Sequence, residues 1–157
     1  MRIRPAAPAD ADGMSAVLHE IVAATGRPRP SDPAFVLATY TGNPHRIACS
    51  VAVDADGGIL GFQSLIRAVA GNAYGVEPGW GIIGTHVSPR AARRGVGKAL
   101  FEVSRGSAHA AGLVAIDATI GADNATGLAY YEAMGFRTYR RADDAVSKVF
   151  LLDGRAP

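Results

Sequence analysis

Apolar residues recur at helical spacing early in the chain. Asp10 and Asp12 precede Met14, Val17, Leu18, Ile21 and Val22, which share one face of a helix. Either acidic side chain can cap that helix by accepting from its free backbone N–H groups. Gly26, Pro28 and Pro30 end it. Ser31-Asp32-Pro33 opens a second helix carrying Phe35, Val36 and Tyr40, and Gly42-Asn43-Pro44 closes it. The pattern then shortens to that of strands. Residues 47–53 and 59–69 read as a hairpin around Asp56-Gly57-Gly58, whose residues tolerate positive φ. Residues 71–79 form a glycine-rich loop, and residues 80–87 a strand of small and β-branched side chains. Residues 94–111 predict a helix with Val96, Leu100 and Val103 on one face, and Gly112 supplies its left-handed end. A strand over 113–120 and a helix over 124–134 follow, the helix stopped by Gly135. Residues 136–140 and 146–152 read as a final hairpin, with Asp143-Asp144 in its turn.

This order of elements predicts a mixed α/β fold, an α+β arrangement rather than a doubly wound one. Six to seven mainly antiparallel strands are flanked by about four helices, with one strand-helix-strand crossover in the middle. No repeat or linker divides the chain, so residues 1–157 are expected to form one domain.

Composition narrows the classes. No apolar run is long enough for a transmembrane helix, and the first residues lack the core of a signal peptide. A cytoplasmic location is the expectation, with no membrane partner. Cys49 is the only cysteine and alternates with Ile47 and Val51, which makes it a core residue. His19, His45, His86 and His109 have no metal-ligand spacing, so no metal is expected. A net charge of +2 is too small to argue for nucleic acid. Its distribution says more, because Arg90, Arg93, Arg94 and Lys98 crowd one segment that also holds Gly95 and Gly97.

That segment is the crossover. A strand ends at Val87, a loop follows, and a helix begins. Helix starts present unpaired N–H groups and the positive end of the macrodipole. Glycine there lets an anion approach the backbone. The glycines are not followed by the Lys-Ser/Thr pair of a Walker loop, and Leu100 stands where a dinucleotide fingerprint needs a third glycine.

Val87-x-Pro89 followed by Arg93-Arg94-Gly95-Val96-Gly97 and a helix resembles the acyl-CoA loop of the GNAT superfamily of N-acetyltransferases. Downstream, Asn124, Tyr131 and Gly135-Phe136 stand at the spacing of that family's late helix. The resemblance covers the middle and C-terminal two-thirds of the chain. It implies acetyl-CoA as co-substrate, with its arm against the strand backbone at Val87. It implies a pyrophosphate held by the backbone of Arg93, Arg94, Gly95, Val96, Gly97, Lys98 and Ala99, and Asn124 and Tyr131 beside the arm and its sulfur. An extended arm pairs like a strand only at a free edge, so the strands either side of the crossover would have to splay. Ala92 and Arg93 depart from the family's pattern, which usually has Gln or Arg and then glycine there.

The implied reaction is direct attack of a primary amine on the thioester in a ternary complex. A substrate ammonium with a pKa near ~10 must lose a proton, and the leaving thiolate must gain one. Tyr131 is the expected general acid; Tyr130 beside it is expected to face elsewhere. The base is not legible. Glu77 precedes the strand over 80–87 and His86 lies within it, and a water chain serves equally. The competing readings are a transferase for another acyl-CoA or for a protein N-terminus, and a non-catalytic acyl-CoA-binding regulator. Acceptor choice is expected from residues 24–46 and 70–79. A homodimer is compatible with the resemblance, although no residue pattern specifies its interface.

Overall fold

The computed structural model describes residues 1–152; residues 153–157, the end of the expected domain, lie outside the described residues. One sheet of seven strands runs through the molecule in the order β1-β2-β3-β4-β5-β7-β6. The strands are β1 (Arg2–Pro5), β2 (Arg46–Val53), β3 (Ile59–Arg67), β4 (Gly81–Val87), β5 (Ala115–Gly121), β6 (Arg137–Arg141) and β7 (Ala145–Leu151). All neighbours are antiparallel except β4 and β5. The helices are α1 (Ala11–Thr25), the short α2 (Pro33–Val36), α3 (Val96–Ala110) and α4 (Ala125–Met134). The fold class read from the periodicity is the one observed.

Local chemistry accounts for most boundaries. Gly26 and Gly135 end α1 and α4 in the left-handed conformation. Asp32 caps α2, its carboxylate accepting from the Phe35 N–H, and Leu37–Thr41 continue that helix as a π turn. Asp10 does not cap α1 with its side chain. It accepts instead from the Ala7 N–H and from Arg4 at 2.8 Å, which holds its carboxyl below the usual range.

Helices cover both faces of the sheet. Met14, Val17 and Leu18 of α1 pack with Val36, Tyr40, Val51 and Phe62 on one face. Phe101 and Ala108 of α3 pack with Leu65, Ile83, Ile116, Tyr131 and Phe136 on the other. An irregularity in the β2–β3 pairing near Leu60 turns that residue to the second face, where it meets Ala52, Val96 and Leu100. Cys49 is buried, and burial pushes its thiol up to about 11, in keeping with a core residue.

The decisive feature is the middle of the sheet. β4 and β5 pair at only two positions, Gly81 with Ile116 and Ile82 with Asp117. Beyond them the strands part, while β4 stays paired with β3 along its full length. The expected splay is therefore present, and it leaves residues 83–87 with one free edge.

Candidate active site

The free edge has a defined polarity. The Ser88 N–H donates to the Leu60 carbonyl at 2.8 Å, on the β3 side. Backbone groups alternate sides along a strand, so those of Thr85 and Val87 turn towards the gap. No strand answers them there. They suit an extended ligand that pairs as a strand does.

At the end of β4, Pro89–Ala91 makes one 3-10 turn and the chain reaches α3. Arg93 has φ 65, the one non-glycine residue with positive φ among the described residues, and Gly95 follows at φ 76. The left-handed conformation at Arg93 is the one glycine favours, so the loop keeps its turn with an arginine in that place. The first helical bond runs from the Ala99 N–H to the Gly95 carbonyl at 3.0 Å. Ala99 thus has its amide engaged, whereas no protein acceptor meets the amides of residues 93–98 among the described residues. Nothing stands within 4 Å of where a Gly95 side chain would begin. Arg94 pairs with Asp54 at 3.5 Å and Arg90 with Glu20 at 3.2 Å. Arg93 and Lys98 have no carboxylate partner among the described residues. Free amides at a helix start beside two unpaired cations fit a diphosphate.

Gly97 has a different reason for being small. A Cβ there would lie 2.6 Å from Cε1 of Tyr130. The Tyr130 hydroxyl donates to the Gly97 carbonyl at 2.7 Å and accepts from Gln63 Nε2 at 3.1 Å. Gln63 Nε2 also donates to Thr85 Oγ1 at 2.9 Å, and Thr85 Oγ1 lies 2.8 Å from the Tyr131 hydroxyl. Two adjacent tyrosines of α4 are therefore joined through Gln63 and Thr85 beneath the free edge. Burial pushes the Tyr130 phenol up to about 12 and raises that of Tyr131 as well. The Gln63 carbonyl oxygen is buried without a partner. Asn124 caps α4, its side chain accepting from the Gly127 N–H at 3.0 Å.

His86 points to the opposite face of β4. Its ring stacks against Phe62, with centroids 4.7 Å apart, and against Tyr40 at 5.5 Å. Arg29 Nη1 lies 3.3 Å from His86 Nδ1, and the Tyr40 hydroxyl lies 3.4 Å from Nε2. Arginine only donates, so Nδ1 accepts and Nε2 carries the hydrogen. Both ring nitrogens are committed. Desolvation, reinforced by the Arg29 charge, lowers the imidazole pKa to about 3. Glu77 is exposed on the loop before β4, and the hydrogen-bond partners of Thr85, His86 and Tyr131 are other residues.

Gln63, Thr85 and Asp117 were not singled out in the sequence; Tyr130 was expected to face elsewhere, and Arg29 and Tyr40 fall within the 24–46 segment expected to choose the acceptor. Asp117 is completely buried on β5 where the strands part, accepting from Tyr139 at 2.6 Å and Thr119 at 2.9 Å. Its carboxyl is raised, by desolvation above all. A cavity of about 350 Å³ among β1, β2 and α3, lined by Ile3, Arg46 and Val103, holds none of these groups. The buried polar groups gather instead at the splayed strands.

A free strand edge leading to an open helix start is the arrangement expected of the acetyltransferase fold. The profile of the acetyltransferase (GNAT) family matches residues 14–136, and the chain belongs to that family. Solved structures share the fold. One is yncA from Salmonella typhimurium with its cofactor acetyl-CoA, at TM-score 0.77 and 21% identity over 99% of this chain and 96% of that one. A phosphinothricin acetyltransferase from Sinorhizobium meliloti in complex with AcCoA has TM-score 0.76 and 24% identity over 96% and 88% of the two chains. A GCN5-related N-acetyltransferase from Kribbella flavida has TM-score 0.76 and 21% identity over 96% and 97%. No curated protein sequence matches the chain.

Proposed function

We propose that this protein transfers the acetyl group of acetyl-CoA to a primary amine in a ternary complex, with Tyr131 as general acid. The observation that carries the reading is the Thr85–Tyr131 hydroxyl pair at 2.8 Å beside the unpaired edge of β4. When bound, acetyl-CoA supplies the activated acetyl thioester. Thr85 and Val87 hold its arm by backbone pairing, as a neighbouring strand would. Residues 93–98 hold its phosphates through free amides, helped by Arg93 and Lys98.

Gln63 donates to Thr85 Oγ1, and either hydroxyl of the Thr85–Tyr131 pair can donate to the other. With Thr85 donating, the Tyr131 proton is free for the departing sulfur. A buried phenol stays protonated, so the acid is present at every working pH. On the other face, His86 has no lone pair to offer an ammonium, and its role in this reading is to shape the acceptor side. Glu77 stays a candidate base only as a carboxylate met on entry. Otherwise water takes the ammonium proton. Binding in the cytoplasm as a monomer or homodimer is compatible with this reading.

The test is single-turnover transfer from acetyl-, propionyl- and succinyl-CoA to a panel of amines and N-terminal peptides, followed by thiol release. Transfer from acetyl-CoA to a small amine supports the proposal. Cofactor binding with no transfer to any acceptor would move the protein to the non-catalytic alternative.

A further inference from the structure

The connection between α1 and α2 crosses the mouth of the splay. Arg27 pairs with Asp123, after β5, at 2.8 Å. Two residues later Arg29 reaches His86 on β4. Ser15 fastens the far end by donating to the Ser31 carbonyl at 2.6 Å. Thr85 and His86 are consecutive, so this strap and the Tyr131 network flank the same free edge from opposite faces.

The cluster around Arg29 lacks an acceptor. Arg29 Nη2 donates to the Tyr40 hydroxyl at 2.8 Å and Nη1 to His86 Nδ1. Its Nε is buried with no partner. The Tyr40 oxygen therefore accepts from Arg29 and from His86 Nε2–H, which leaves the Tyr40 hydrogen unpartnered too. No carboxylate pairs with Arg29 among the described residues. The nearby ones are committed, Asp123 to Arg27, Glu20 to Ser88 and Arg90, and Asp32 to the cap of α2. A residue that only stapled the strap to β4 would need the two contacts it makes, not a buried idle donor. A guanidinium fork with free N–H groups matches a planar oxyanion.

We infer that Arg29 and Tyr40 form an oxyanion subsite on the acceptor side of the splay, so that the favoured amine carries a carboxylate or phosphonate beside an apolar body. This rests on the transferase reading above and names its substrate class. The apolar body would lie against Phe35, which is partly exposed and packs on Tyr40 at 5.8 Å between centroids. Held neutral, His86 adds no second charge, and Arg29 alone disfavours polycations.

The experiment compares amines with and without the anion, at rates corrected to the free-amine fraction of each: leucine with leucinamide, aminoethylphosphonate with ethanolamine, and spermidine as polycation. Wild type, Arg29→Gln and Arg29→Lys are assayed, with melting curves to verify folding. A paired charge-assisted contact is expected to favour the anionic member about tenfold to a hundredfold in kcat/KM, mostly through KM. Arg29→Gln should erase that preference, and Arg29→Lys should keep part of it. Binding of 4-methylpentanoate, leucine without its amine, is measured in parallel by calorimetry in the presence of CoA. Binding that depends on Arg29 supports the subsite even where no amine is acetylated, an outcome that would sink the transferase reading alone. Equal rates for leucine and leucinamide with no 4-methylpentanoate binding would overturn the subsite. So would an anion preference that survives Arg29→Gln.

Discussion

At the scale of single residues, the hydroxyl of Tyr131 carries the most specific claim. Tyr131→Phe keeps the ring among Phe101 and Phe136 and removes only the proton donor. General acid catalysis contributes ~10²–10⁴-fold, and kcat is expected to fall within that range with acetyl-CoA affinity unchanged. Single-turnover rates with parallel cofactor titration check this; equal rates with chemistry limiting would remove Tyr131 as the acid. His86 gives a pH prediction. Its pKa is about 3 in the folded protein and ~6.5 in an unfolded chain. Above pH ~6.5 neither state binds the proton. As pH falls towards 3 the unfolded chain takes it up first, so stability falls. In His86→Gln that loss is absent, so the melting-temperature gap to wild type should narrow between pH 7 and pH 4. A gap independent of pH would show an ordinary histidine. The shape of the kcat/KM profile should survive the same substitution. The place of Tyr131 on the late helix, though not its role, was readable from the family's spacing. Arg29 was not, since a lone arginine between two prolines has no periodicity to report its partners.

At the scale of elements, the start of α3 joins two separate demands. Gly95 adopts a left-handed turn, and Gly97 makes room for a neighbouring helix. From sequence both glycines read as openings for an anion; only the packing of α4 distinguishes them. Gly97→Ala is expected to destabilise the protein by about 1–3 kcal/mol, the usual cost of overpacking, by pressing on Tyr130. Chemical denaturation measures it, and a change within error would mean that Tyr130 yields freely. Arg93→Gly relieves a left-handed arginine. It should leave stability level or raise it by a few tenths up to about 1 kcal/mol, while weakening CoA binding through the lost charge. Asn124→Ala should cost about 1 kcal/mol of stability through the lost cap. α1 and α3 were legible from their apolar period, and α4 from the Asn124 and Gly135 at its ends. Both ends of the second helix were legible too, at Asp32-Pro33 and Gly42; only the π form of its last turn has no signature in a short apolar run.

At the scale of the whole molecule, the sheet is two antiparallel units, β1 to β4 and β5 to β7, whose backbones pair at two positions only; side chains, among them the Arg27–Asp123 bridge and the Thr85–Tyr131 hydroxyls, add the rest of the link. Family resemblance alone raised the splay as a requirement, because no residue pattern marks where two strands stop pairing. A ligand that fills the gap binds the native state alone, so saturating acetyl-CoA at ~100 times its Kd should stabilise the protein by about 2.7 kcal/mol. Amide exchange should slow most at residues 83–87 and 93–98. The same narrow junction has a consequence for how the chain acquires its shape. Everything that completes the first unit's sheet lies before residue 88, so on the ribosome that meander can close while the later strands are still unmade. The junction needs the α3 crossover and is far less local than the β2–β3 hairpin, so it should form after it. Pulse-labelled exchange during refolding would show β2 and β3 protected before Gly81 and Ile116. A late step of folding would then shape the gap in which the first substrate sits.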